Sequence, residues 1–169
     1  MAKLLSHPDG LERFHLRGLM KTLAADKAEI LARLQQLRPD SQRQWGKMTP
    51  NQMICHLTDS FISMMGGKAV SSRSNLFMRT AGKWVALKAP MPWPHGIKTM
   101  PENDQEIGGT PPVEFEQDRQ KLRQAIDRFA ASQRDFAFHP HPIFGAMTET
   151  EWMIWGYKHC DHHLRQFGL

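Results

Sequence analysis

The sequence predicts an all-α protein on three observations. Apolar residues recur at helical three- and four-residue spacing in several separate stretches, start and stop signals bracket those stretches, and no run sustains the alternation of a half-buried strand. Four or five helices joined by short and long connections fit a bundle with one long crossover.

Residues 1–19 carry a modest pattern of their own, Leu11, Phe14, Leu16 and Leu19, and are expected to form an N-terminal extension, helical in part. The bundle domain is expected to span residues 20–169. Ile30, Leu31, Leu34 and Leu37 predict a first helix from about Ala25 to Arg38, with Pro39 as its stop. The next start is sharper. Thr49-Pro50-Asn51-Gln52 supplies an N-cap hydroxyl, a proline at the first helical position and a glutamine that can close a capping box. The helix it opens runs from Pro50 to about Met65, with the stripe Met53, Ile54, Leu57, Phe61, Met64 and Met65, and Gly66-Gly67 ends it.

A third helix is expected over Asn75 to Lys88, where Leu76, Phe77, Ala81, Trp84, Val85 and Leu87 form a broad apolar face. Six of the eleven prolines then fall between Pro90 and Pro112. A loop this long inside a compact domain is a wrapping element or hides a short helix, and its prolines favour a fixed wrap over a swinging gate. Phe115, Leu122, Ala125, Ile126 and Phe129 mark a fourth helix from about Val113 to Ser132. The connection Arg134 to Thr148 holds His139-Pro140-His141-Pro142, and a histidine before proline sits in extended backbone, so both rings read as loop residues and not as ligands. The last helix opens at Thr148-Glu149-Thr150-Glu151, where either threonine can cap and the acids suit the positive helix end.

With 169 residues, the chain has the size of one domain with a full core. No stretch approaches the roughly 18 apolar residues of a membrane span, and the opening Met1-Ala2-Lys3-Leu4-Leu5-Ser6 lacks the apolar stretch of a secretory signal. The expectation is a soluble, cytoplasmic protein that uses no membrane. The formal charge is +5, but basic residues alternate with acids, as in Asp118-Arg119 and Asp127-Arg128; this is the look of solvated helix faces, and no nucleic-acid partner is expected. Cys55 and Cys160 are too few for a disulfide framework and read as reduced core thiols.

The chemistry lies in the histidines. His159 and His163 are four apart on the last helix, so they project from nearly the same face. His162 leans toward solvent, about 150° from the centre of the apolar face. On the second helix His56 sits roughly 120° from its stripe's centre, beside Ser60 and Ser63, which makes it a flank residue. If His56, His159 and His163 converge, three neutral nitrogens would hold a divalent ion and leave a fourth position for water or substrate. Nitrogen ligation suits zinc or nickel. Each ring also has a plainer reading, as a satisfied histidine at the core's edge. Asp59, one turn after His56, and Asp161 are candidates to orient an imidazole, and Trp152 and Trp155 are candidate pocket walls.

Three blocks carry a family likeness: Trp45-Gly-Lys-Met48-Thr-Pro-Asn-Gln-Met53-Ile-Cys-His56-Leu57, His141-Pro-Ile-Phe-Gly145-Ala-Met-Thr-Glu-Thr-Glu-Trp152, and Tyr157-Lys-His159-Cys-Asp-His162-His163-Leu-Arg-Gln-Phe-Gly168. From about Met20 to Leu169 the chain resembles the DinB/YfiT-like superfamily, in a branch marked by WGKM and HLRQFG. The resemblance implies a four-helix bundle, often a homodimer, with one metal-ligating histidine on the second helix and two spaced four apart on the last, here His56, His159 and His163. It also implies a metal-dependent enzyme acting on a small molecule, of hydrolase or small-thiol-dependent transferase type, since relatives use bacillithiol or mycothiol. A non-catalytic metal-binding or stress-response module is the alternative. The run His162-His163-Leu164-Arg165-Gln166 departs from the His-His-Arg-Gly-Gln common elsewhere in the superfamily, and nothing in the chain maps to recognition of a thiol cosubstrate.

Overall fold

The computed structural model describes residues 20–169, so the extension expected over 1–19 lies outside the described residues. Helix α1, Leu23–Gln36, starts two residues earlier than its apolar spacing indicates. Thr22 is the reason: its side chain accepts from Ala25 N–H at 3.3 Å, while Asp26 accepts from Thr22 N–H at 2.7 Å. The helix closes before Arg38, whose backbone is disfavoured for helix by Pro39. Helix α2, Pro50–Met64, begins with the expected capping box, Thr49 Oγ1 accepting from Gln52 N–H at 3.2 Å and Gln52 Oε1 from Thr49 N–H at 2.9 Å.

The segment expected as one helix over Asn75 to Lys88 contains a π-helical turn, Met78–Gly82, followed by α3, Lys83–Lys88. Its apolar side is mostly not core. Leu76 is 79 % exposed and Trp84 64 %, and only Leu87 is fully packed. Lys158 on the last helix ties this element down, donating to the carbonyls of Ala86 at 3.1 Å and Ala89 at 2.8 Å, where a helix end leaves acceptors free. Within the proline-rich stretch a single 3₁₀ turn forms at Pro101–Asn103. Helix α4, Phe115–Phe129, is shorter at both ends than expected; its start is set by Glu114, which caps it by accepting from Gln117 N–H at 2.7 Å. Helix α5, Glu149–Arg165, opens on a second capping box between Thr148 and Glu151.

Among the described residues no strand forms; an isolated bridge pairs His141 with Gly145. The protein is therefore all-helical over those residues, and none of their helices is long and apolar enough to cross a membrane. Helix α2 lies along α4 and α1 along α5, and α2 also meets α5, so the four long helices share one core. Phe61, Phe129 and Trp152 are fully buried there, with Phe61 edge-on to Phe129 at 4.8 Å between centroids. Cys55 and Cys160 are buried free thiols, as expected. Across α1 and α5, Arg33 pairs with Asp161 at 2.8 Å, and Tyr157 donates to Glu29 at 3.0 Å.

The long connection from α2 to α4 is a fixed wrap. Asp59, 2 % exposed on α2, grips both of its ends: Lys68 Nζ donates to the carboxylate at 2.7 Å, and Thr110 donates through its N–H and its hydroxyl, each at 2.7 Å. A carboxylate taken out of water needs such a full set of donors. Asp59→Ala strips Thr110 of two acceptors and leaves Lys68 without its partner; the expected loss is about 2–4 kcal/mol in urea unfolding. An unchanged midpoint would show that the wrap is held by other contacts.

Candidate metal centre

The wrap brings the 3₁₀ turn against the flank of α2 that the helical wheel leaves half open. His56, expected as a flank residue, is consequently buried, and its Nδ1–H donates to the carbonyl of Asn103 at 2.8 Å. A carbonyl can only accept, so this bond places the proton on Nδ1 and leaves a lone pair on Nε2. His163 is set the same way. Gln166 Nε2 donates to Trp45 O at 3.0 Å, which turns its Oε1 toward His163 Nδ1 at 3.1 Å. Gly46 makes this possible: its φ is +81°, and a Cβ there would stand 2.0 Å from Gln166 Nε2.

His159 completes the group. One ligand nitrogen from each of His56, His159 and His163 lies within 4.8 Å of the other two, and the three side chains can hold a metal ion together. The Nε2 atoms of His56 and His159 are 3.2 Å apart. Two nitrogens bound at about 2.0–2.1 Å to one tetrahedral ion stand about 3.3–3.4 Å from each other, so the spacing fits the group. With the His56 proton committed to Asn103, His159 Nε2 has two ways to satisfy that contact: it donates its own proton, or both lone pairs share a cation. His159 Nδ1 is buried without a hydrogen-bond partner, an orphan that hydrogen bonding within the protein does not explain.

Burial holds all three rings below the ordinary histidine value, with the neighbouring imidazoles adding to the effect at His159 and His163. They are neutral near pH 7, the state a metal ligand requires. The cysteines are not part of this chemistry, because burial pushes the Cys55 thiol up to about 12 and that of Cys160 higher still.

The group lies on the wall of a cavity of about 480 Å³. Trp155 lines it and packs on His159 at 4.9 Å between centroids, as expected of a pocket wall. Trp152 does not; it is core, stacked on Phe138 at 5.1 Å. Asp59 touches no imidazole, being consumed by Lys68 and Thr110, and Asp161 is turned to Arg33. The orienting groups are instead the Asn103 carbonyl and the Gln166 amide, which no helical periodicity marks.

A family model with the description "Protein of unknown function (DUF1569)" matches residues 19–168. The chain belongs to that family. No curated protein and no solved structure matches it.

Two more histidines of this DUF1569 chain sit elsewhere than their local sequence suggests. His162, expected to lean toward solvent, is buried because Trp45 and Trp93 cover it, at 4.7 and 5.9 Å between centroids, and Trp45 itself stacks on His95 at 4.0 Å. His141, read as a loop residue, is buried against Phe144 and Trp155 and lines the cavity. Its Nδ1 accepts from the N–H groups of Ile143 at 3.1 Å and Phe144 at 3.2 Å. The available signal was the turn His-Pro-Ile-Phe-Gly, in which a ring can act as the acceptor that closes the turn.

Burial lowers His162 to about 4 and His141 to about 3. Unfolded, each titrates near 6.5, so between those limits the unfolded chain binds more protons and acid favours unfolding. The stability these neutral rings contribute is complete above about pH 6.5 and drains as pH falls toward 4 and then 3. Unfolding free energies of metal-free protein, from urea titrations between pH 7.5 and 5, are expected to fall by up to about 1.4 kcal/mol per pH unit for each such ring. A flat profile would mean that the rings are hydrated.

Proposed function

We propose that this chain is a divalent-metal-dependent enzyme of hydrolase or small-thiol-dependent transferase type, acting on a small molecule at His56, His159 and His163. The observation that carries the proposal is the convergence of three buried, neutral imidazoles on one point at the wall of a cavity. Four long helices around a single core, with one histidine of the triad on the second and two on the last, support the likeness to the DinB/YfiT-like superfamily as well. Zinc or nickel suits an all-nitrogen donor set.

A divalent ion held there would supply Lewis acidity to a water, thiol or carbonyl in its open position. The chain's own residues do the rest. Asn103 and Gln166 fix the tautomers of His56 and His163, so that both present lone pairs without rearrangement. Trp93 and Trp155 flank His159 and keep water from its face, which strengthens electrostatic interactions inside. A closed structural site would be enclosed on every side, whereas this cluster borders a space of ligand size; about 300–1,000 Å³ is usual for such pockets.

Protein purified without a polyhistidine tag is expected to carry or take up about one divalent ion per chain. His56→Ala, His159→Ala and His163→Ala should each lower that affinity by at least about 100-fold, and Gln166→Ala by about 10- to 100-fold, measured by metal analysis and competition with a chelator. Full metal content in all three histidine variants would refute the centre. Ester hydrolysis and thiol conjugation that vanish on chelation and return with the ion would establish catalysis.

A further inference from the structure

The cavity is chemically one-sided. Its histidine wall is polar, and Ser60, Thr99 and Asn103 add a few polar groups, but most of the remainder is apolar side chain, including Phe77, Met91, Trp93, Met100 and Phe144. Lys98, the one residue with a charged side chain in the lining, is exposed. Phe77 is 67 % exposed and Met91 61 %, apolar surface that an occupant would cover. Such walls reject a polyanion or a zwitterion, since a charge moved there loses its water without gaining a partner.

Besides the orphan Nδ1 of His159, a second buried ring in this lining has a polar atom without a partner. The two backbone N–H groups on His141 Nδ1 require a lone pair there, so the neutral ring carries its proton on Nε2. No protein group accepts from that Nε2–H among the described residues. His141 and His159 share Trp155 as a neighbour, at 5.4 and 4.9 Å between centroids, which sets the donor near the triad. It is a fixed, uncharged donor with its acceptor unfilled.

We infer that the cavity takes an apolar acyl or aryl compound with a neutral carbonyl-type oxygen, an ester or amide, and that His141 Nε2–H donates to this oxygen. The inference rests on reading this cavity as the access to the metal centre, and it narrows the proposed reaction to hydrolysis: the oxygen of water bonds to the carbonyl carbon, the ester C–O or amide C–N bond breaks, and a proton from water leaves on the alcohol or amine. His141 polarises the carbonyl from one side, and its own turn keeps the ring from rotating away. The strongly polar small thiols that the family likeness suggests do not fit the apolar part of this space.

Unreactive probes test it in metal-free protein with a chelator present. Tryptophan fluorescence, reporting from Trp93 and Trp155, follows titration with propiophenone, with its carbonyl-free counterpart propylbenzene, and with glutathione. Wild type is expected to bind the ketone about five- to tenfold more tightly than the hydrocarbon, the yield of one neutral hydrogen bond, and to gain about three- to fourfold for each added methylene until the space is full. Glutathione should not compete.

His141→Asn keeps an acceptor for the two backbone N–H groups, while its amide NH₂ falls at the place of the ring's Cδ2 and leaves no donor at the position of Nε2. It is expected to bind both aromatic probes equally, with propylbenzene affinity unchanged. Should that variant fold poorly, the Nε2-bound proton of His141 in wild type, followed by NMR, should shift with propiophenone and not with propylbenzene. Equal affinities in wild type, a ketone preference that survives in His141→Asn, or displacement by glutathione would each overturn the inference. The two failures separate cleanly: ketone preference without metal uptake sinks the metal centre alone, and metal uptake without ketone preference sinks this inference alone.

Discussion

The hydrogen bond from His56 Nδ1 to the carbonyl of Asn103 is the constraint on which the site depends. It joins the main chain of the crossover to a side chain of α2, and in one contact it buries the ring, fixes its tautomer and aims its lone pair. Without the 3₁₀ turn, His56 would lie on an open helix flank, hydrated and free to titrate. The neighbouring rings inherit the effect, because His159 meets His56 at 3.2 Å and the same burial lowers both below the ordinary histidine value. Site formation is thus a matter of how the connection between helices is seated, more than of the helices themselves.

The helices were legible where local chemistry writes its own boundaries. Thr49-Pro50-Asn51-Gln52 announces α2 to the residue, since a capping box is made of neighbours, and the four-residue step from His159 to His163 survives any tertiary arrangement. The triad could be named because two of its members share a helix and the third sits on the helix with the clearest start. What escaped belongs to other segments. A helical wheel reports the direction of a side chain relative to its own helix and nothing about what covers it, so it puts His56 on a flank and His162 toward solvent although Asn103, Trp45 and Trp93 seal them. The apolar face of residues 75–88 has the same periodicity as a core helix, yet here it forms the rim of a cavity. Asn103 acts through its backbone carbonyl, and residue identity carries no mark of that.

The cavity divides its labour between the two kinds of wall. The helices α2 and α5, each opened by a capping box, contribute the imidazoles of the triad. The π-helical turn and the crossover contribute the greasy surface, where Met78, Gly82, Met91 and Trp93 stand on irregular backbone. A π turn inserts an extra residue into a helical register and re-aims the side chains around it, a device often found beside functional sites. The chemistry thus stands on the bundle and the shape on the connection, with the Asn103 turn as the point where the two are joined.

Asp59 gives that arrangement a topological basis. By holding Lys68 and Thr110 on a single carboxylate, it turns the chain between them into a non-covalent ring whose neck is anchored on α2. The entropy of closing such a ring grows only with the logarithm of its length. Insertions and deletions along its circumference are therefore cheap, provided the neck and the Asn103 turn stay in place. Lineages descended from this fold can redraw the mouth of the pocket, and with it the molecules admitted, while inheriting the same imidazoles untouched.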